Sequence, residues 1–165
     1  MKTVRESFKV QSTGVQPTFH NVKEQVQKIV TESGVQSGIC VVYSHHTTCC
    51  VITDESAFDM SMTGLETLQQ DMVNVMEDMI PSYRTDGMYL HPGPKAVAFA
   101  AENDEDYYCV HNTDAHLRSS IIGRSETIVL IDGKLDLGSF GNIYFIDWDQ
   151  RRARERTVMV QIIGE

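Results

Sequence analysis

Two short apolar runs, Ile39-Cys40-Val41-Val42-Tyr43 and Cys49-Cys50-Val51-Ile52, are separated by only five polar residues, Ser44-His45-His46-Thr47-Thr48. Runs this short and this rich in β-branched side chains read as buried strands. The polar block therefore lies between two strands or at the start of the second. Its imidazoles and hydroxyls must satisfy one another there or face a ligand. Thr53-Asp54-Glu55 follows at once, and a second histidine-rich block, His111-Asn112-Thr113-Asp114-Ala115-His116, lies far downstream. Two such blocks in one small chain point to a composite site.

The rest of the pattern sets the frame around them. Val4, Phe8 and Val10 alternate with polar residues, and Glu6 breaks the apolar face, so an edge strand fits. Asn21 and Glu24 resemble a capping box ahead of Val22, Val26, Ile29 and Val30, which fall at helical spacing up to Gly34. Leu65, Leu68, Met72, Val75, Met76, Met79 and Ile80 predict a second amphipathic helix stopped by Pro81, its methionines filling core gaps. His91-Pro92-Gly93-Pro94 excludes regular structure, Ala96–Ala101 fits a short helix or strand, and Glu102–Asp106 reads as an acidic loop. The last third reads as strands. Thr127–Ile131 meets Lys134–Leu137 across an Asp132-Gly133 hairpin, followed by Asn142–Trp148 and the alternation of Val158, Val160 and Ile162. Two main helices early and antiparallel strands late predict an α+β fold, with residues 1–165 as a single domain.

Composition narrows the function classes. A chain of 165 residues should bury roughly 70% of its unfolded surface, enough for a core without covalent staples. Its 14 basic and 23 acidic side chains leave a formal charge of −9, which disfavours nucleic acid as a partner. No apolar run is long enough to span a bilayer, and the first residues lack the apolar core of a signal peptide. The expectation is a soluble cytoplasmic protein that does not use a membrane. Four cysteines without C-x-x-C spacing read as reduced, buried thiols. Cys49 and Cys50 should point to opposite faces of one strand.

Neutral imidazole is a common zinc ligand, and three protein ligands with one open position make a catalytic zinc site. His46, His91, His111 and His116 are the candidates. His111 and His116, five apart, share neither a helical nor a strand face, so at most one belongs to the site. His116 is favoured because Asp114 and Ser119 lie near it for orienting hydrogen bonds. Asp54, Glu55 and Asp71 can serve as acid, base or ligand, or as charges at helix starts. Thr47 and Thr48 can bind a phosphate oxygen or cap backbone groups. Arg151, Arg152, Arg154 and Arg156 follow Asp147 and Asp149, which suits either an internal ion-pair network or a phosphate clamp. No P-loop, G-x-G-x-x-G or G-x-S-x-G is present.

Several of these elements occur in one recognisable order. His46-Thr47-Thr48 precedes Asp54-Glu55 and a helix containing Asp71. Tyr89-x-His91, Asn112-x-Asp114-Ala115-His116-Leu117-x-Ser119-Ser120 and Gly133-x-Leu135-x-Leu137-Gly138 come next. An Arg-x-Arg and a Val-x-Ile-Ile-Gly tail end the series. In this the chain resembles the YjbQ family, also called secondary thiamine-phosphate synthase, over nearly its whole length. The resemblance implies an α+β fold with antiparallel or mixed, β-sandwich-like sheets, and a homotrimer. It implies a polar site built from His46, His91 and His116. The expectation from their ligand chemistry is a small metal-dependent enzyme in which these three hold a divalent ion, Zn²⁺ or alternatively Mg²⁺. His46 and Glu55 would be catalytic, and Thr47, Thr48, Ser119, Arg151 and Arg154 would bind a small anionic or phosphorylated metabolite. The implied reaction joins an aminopyrimidine diphosphate to a thiazole phosphate, although three histidines suit a metal-activated hydroxide better. The alternative is a non-catalytic anion-binding or metal-braced oligomeric protein. The chain departs from the family at Asp54, at Gly138-Ser139-Phe140-Gly141, at Asp149-Gln150-Arg151-Arg152, and in a longer stretch between His91 and His116 that makes His111 the stand-in for His91.

Overall fold

A computed structural model describes all of residues 1–165. The strands are β1 (Lys2–Gln11), β2 (Thr18–Asn21), β3 (Gly38–Tyr43), β4 (Cys49–Glu55), β5 (Ser125–Ile131), β6 (Lys134–Leu135), β7 (Gly141–Asp147) and β8 (Glu155–Gly164). The helices are α1 (Lys23–Ser33), α2 (Thr67–Met79), α3 (Pro94–Glu102) and α4 (Thr113–Ile122), with a 3₁₀ turn at Tyr107–Val110. Five strands pair in the order β1-β8-β3-β5-β6 and three in the order β2-β7-β4, with every pairing antiparallel.

The inward residues of both sheets meet in one core. Cys40 and Val42, Ile128 and Leu130, and Val158, Val160 and Ile162 come from the larger sheet. Cys49, Val51, Ile143 and Phe145 come from the smaller, and Val22, Val26 and Val30 of the α1 region close the side. Period-two alternation places each set on one face. The smaller sheet is covered on its other face too, where Cys50, Tyr144, Ile146 and Trp148 pack against Met76 and Ile80 at the end of α2 and Ala115 of α4. Burial on both faces explains why β7 is apolar without a break from Ile143 to Ile146. Cys49 and Cys50 do point into opposite cores, and all four cysteines are free and buried. At the end of the larger sheet Gly38 pairs with Gly164. A Cβ on Gly38 would stand 2.2 Å from the Ile163 carbonyl oxygen, so only glycine permits that approach.

The α+β architecture agrees with the sequence reading, but there are four α-helices rather than two. Ala96–Ala101 lies in a helix whose first residue is Pro94, a position that needs no backbone N–H. Helix α4 falls in the third of the chain read as strands. Its buried residues are Asp114, Ala115, Arg118 and Ser119, a helical face made mostly of polar side chains. The capping box expected at Asn21 is absent. Asn21 ends β2, Val22 is the cap residue, and the Asn21 carboxamide accepts only the Lys23 amide at 3.2 Å. A capping box does form at α2, between Glu66 and Gln69. The strand expected over Lys134–Leu137 stops at Leu135. No helix is long and apolar enough to cross a membrane.

Candidate functional site

The polar block ahead of β4 is folded by short-range hydrogen bonds from both backbone and the Ser44 side chain. Ser44 Oγ accepts the His46 amide at 3.1 Å, and the His46 carbonyl accepts the Cys49 amide at 3.1 Å. This tight turn displays His45, His46 and Thr47 at the end of the sandwich. Opposite it lies the chain between α2 and α4, and together they enclose a cleft of about 460 Å³. One side is formed by His45, His46, Thr47, Thr48, Arg154 and Arg156, and the other by His91, Ala96, Phe99, Glu105, Cys109, Val110, Asn112 and His116.

Six residues proposed from the sequence converge here: His46, Thr47, Thr48, His91, His116 and Arg154. The His91 and His116 rings meet edge to face, 5.6 Å between centroids, and the His45 and His46 rings lie 4.3 Å apart. His46 Nε2 accepts the Thr157 backbone N–H at 2.9 Å. Burial, then the Arg156 and His45 charges, hold the His46 pKa below the usual imidazole range. Burial, then neighbouring His91, does the same for His116, against an opposing hydrogen bond to the Thr47 backbone. Both rings are therefore neutral at physiological pH.

Beneath the imidazoles is a buried ion cluster. Arg156 Nε donates to Asp147 Oδ2 at 2.6 Å, and its Nη2 donates to Asp147 Oδ1 at 3.2 Å and to Thr48 Oγ1 at 3.0 Å. Asp149 lies 3.7 Å from the same guanidinium, receives the Asn112 amide at 3.4 Å, and has its carboxyl pKa raised by burial. Arg152 is bound to Glu105 at 2.8 Å. Arg154 differs: its backbone N–H donates to Ser12, but its half-buried side chain has no ion pair or hydrogen bond within the protein. It is a cation free for a ligand.

Four expected site residues do not reach the cleft. Glu55 is exposed at the far end of β4, six residues and about 20 Å beyond its start. The strand carries it away from His46, so the expected catalytic base is not in the site. Ser119 is fully buried and donates to the Cys49 carbonyl at 2.6 Å, pinning α4 to β4 rather than meeting substrate. Arg151 donates to the carbonyls of His111 and Tyr83, each at 3.0 Å, and lies over the Tyr83 ring. His111 lies between the Tyr83 and Tyr107 rings, with Nδ1 on the Tyr107 carbonyl at 2.9 Å and Nε2 3.6 Å from Asp86. It does not stand in for His91.

The sequence reading missed Asn112, His45, Phe99 and Glu105 as lining residues, and it left Arg156 open between an ion-pair network, which is the role it takes, and a phosphate clamp. Arg156 carried a usable signal. It shares the parity of Val158, Val160 and Ile162, so alternation along β8 directs it inward. No group of three or more His, Cys, Asp or Glu side chains is placed to hold a metal ion. In particular, the expected set of His46, His91 and His116 does not fit a tri-histidine zinc centre through Nε2, because the Thr157 amide occupies that atom of His46.

A family model described as UPF0047 protein YjbQ-like matches residues 6–165. Among curated relatives, the UPF0047 protein MJ1081 of Methanocaldococcus jannaschii is 30% identical, covering 100% of this chain and 99% of its own. The UPF0047 protein YugU of Bacillus subtilis is 25% identical over 87% of this chain and 88% of its own. Among solved structures, a YbjQ-like protein of unknown function from Sulfolobus solfataricus superposes with a TM-score of 0.75 at 25% identity, covering 99% of each chain. A yjbq/upf0047 family protein from Clostridium acetobutylicum gives 0.70 at 29% identity, covering 97% of this chain and 99% of its own.

Proposed function

We propose that this chain, which belongs to the UPF0047 YjbQ-like family, is a small enzyme acting on an anionic, phosphorylated metabolite bound in the cleft of His46, His91, His116 and Arg154. One observation carries the reading: an arginine without a protein partner shares a cleft with imidazoles kept neutral. Guanidinium clamps a phosphoryl group through paired N–H donors. Neutral imidazole takes up or relays a proton near pH 7. Thr47 adds a hydrogen-bonding group at the rim, and the exposed Phe99 ring offers an apolar surface.

The reaction to test first is the one the family resemblance names. A thiazole nitrogen attacks the methylene carbon of an aminopyrimidine diphosphate, a C–N bond forms, the C–O bond breaks, and pyrophosphate leaves with its electron pair. Arg154 would stabilise the departing charge. The divalent-ion part of the proposal is narrower than three histidines. His91 and His116 are the pair left to hold Zn²⁺, whereas Mg²⁺ prefers oxygen ligands that these rings do not supply; the remaining positions would fall to substrate and water, and no step is routed through the ion. A homotrimer belongs to the same proposal, supported by exposed Ile39, Tyr43, Val129 and Ile131 on the outer face of the larger sheet. Buried free thiols suit the reducing cytoplasm.

Thermal unfolding with inorganic phosphate and pyrophosphate tests the cleft, and turnover of the two phosphorylated heterocycles tests the chemistry. The wild type should gain about 2.7 kcal/mol at a ligand concentration of 100 Kd. Arg154→Met should keep the unliganded Tm and lose that gain, and His116→Ala should lose turnover. Stabilisation without turnover would favour a non-catalytic anion-binding module. No stabilisation by either anion would defeat the cleft reading.

A further inference from the structure

The Thr113 hydroxyl has one proton, and that proton is committed. Thr113 Oγ1 donates to the His91 carbonyl at 2.6 Å, and a carbonyl oxygen can only accept. The second contact of the same oxygen, 2.9 Å from His91 Nδ1, must therefore run from the ring to the hydroxyl. His91 carries its proton on Nδ1 and its lone pair on Nε2. His46 is fixed by a different group. The Thr157 amide donates to its Nε2, so the His46 proton is also on Nδ1. The nitrogens left over are opposite in kind: an N–H on His46 and a lone pair on His91. Neither is bonded within the protein or sealed from solvent, and both rings line the cleft.

We infer that Thr113 is a positioning residue that selects the tautomer of His91, making His91 the proton acceptor or metal ligand of the cleft and His46 its hydrogen-bond donor. The functional meaning rests on the cleft proposed above, whereas the tautomers themselves do not. The Thr113 hydroxyl acts on the ring as carbonyls and carboxylates act on metal-binding histidines, fixing one nitrogen so that the other is presented. Free histidine in water favours the other neutral tautomer, with the proton on Nε2, so the selection changes what the cleft offers.

Long-range ¹⁵N–¹H NMR of the ring nitrogens, at a pH where the imidazoles are neutral, tests this directly. The wild type should show His91 protonated on Nδ1. Thr113→Val removes the hydroxyl at nearly constant volume and should move the His91 proton mainly to Nε2. Thr113→Ser should restore the wild-type signature, and His46 should keep its Nδ1 proton in all three. Zn²⁺ affinity, measured by competition, should fall 10–100-fold in Thr113→Val and recover in Thr113→Ser. A wild-type His91 protonated on Nε2, or a Thr113→Val spectrum unchanged from wild type, would overturn the inference. If Thr113→Val does not fold, the wild-type and Thr113→Ser spectra decide it. Failure of Zn²⁺ to bind the wild type would count against the metal part of the proposed function, and the tautomer signatures would still decide this point.

Discussion

The sandwich and the excursion between α2 and α4 each supply about half of the cleft, but they are held by different forces. The sandwich side hangs from strands packed around a continuous core of fifteen buried side chains. Within residues 82–112, only Ala100, Cys109, His111 and Asn112 are buried. That segment is fastened by polar contacts instead. Arg152 holds Glu105, Arg151 holds the carbonyls of Tyr83 and His111, and Tyr89 bonds the Pro81 carbonyl. Asp86 gathers Tyr83, Tyr107 and His111. Polar ties exposed to water contribute little free energy each, so this side opens at lower cost than the strands. His46 and Arg154 belong to a fixed jaw, and His91 and Phe99 to an adjustable one.

Substitutions can break this contrast or sharpen it. Phe145→Ala should have the largest effect, about 3–5 kcal/mol of global stability in denaturant unfolding, because it opens a cavity in the sandwich. A smaller loss would mean that the core is not the frame. Arg118→Met comes next. This buried guanidinium bonds Glu77 at 2.7 Å and the Ile80 carbonyl at the point where the excursion leaves α2. Removing it strips the Ile80 carbonyl of its guanidinium donors and leaves Glu77 with only Ser82 and Arg84, and should cost about 3 kcal/mol.

Glu77 gives the pH counterpart. Burial alone would raise its pKa, but hydrogen bonds from Ser82, Arg118 and Arg84 win and hold it near 2, below the ordinary 4.5. Its stabilising contribution is complete above about pH 4.5 and is lost as pH falls through about 2. Wild type and Glu77→Gln should thus differ most in Tm at neutral pH and converge in acid. A constant gap would remove the ionised carboxylate from the account. Arg152→Ala should be the mildest, below about 1 kcal/mol globally. Its mark should be local: faster amide hydrogen exchange across residues 83–110 with the strands unchanged. Equal acceleration in both regions would erase the distinction between the two jaws.

The sandwich was legible in the sequence because its strands obey a strict inward and outward alternation that burial enforces. Helix α4 was not. Its inner face carries Asp114, Arg118 and Ser119, whose partners come from distant segments, so hydrophobic spacing is silent there. The convergence of His46, His91 and His116 was anticipated, whereas the exclusion of His111 depends on a tyrosine stack that no local pattern announces. Glu55 misled because it follows the histidine block closely along the chain and matches a family motif, whereas the seven residues of extended β4 carry it to the far end of the smaller sheet. Arg156 was counted within a basic cluster although its parity on β8 marks it as internal.

Strand β4, with Cys49 and Cys50 turned into separate cores, acts as a party wall. Sliding it to reshape one room would crack the plaster in the other, so the imidazole turn at its head is held in place from both sides. Descendants of this architecture that acquire new ligand preferences should do so by remodelling the opposite margin, where insertions and exchanges disturb little but the cleft itself.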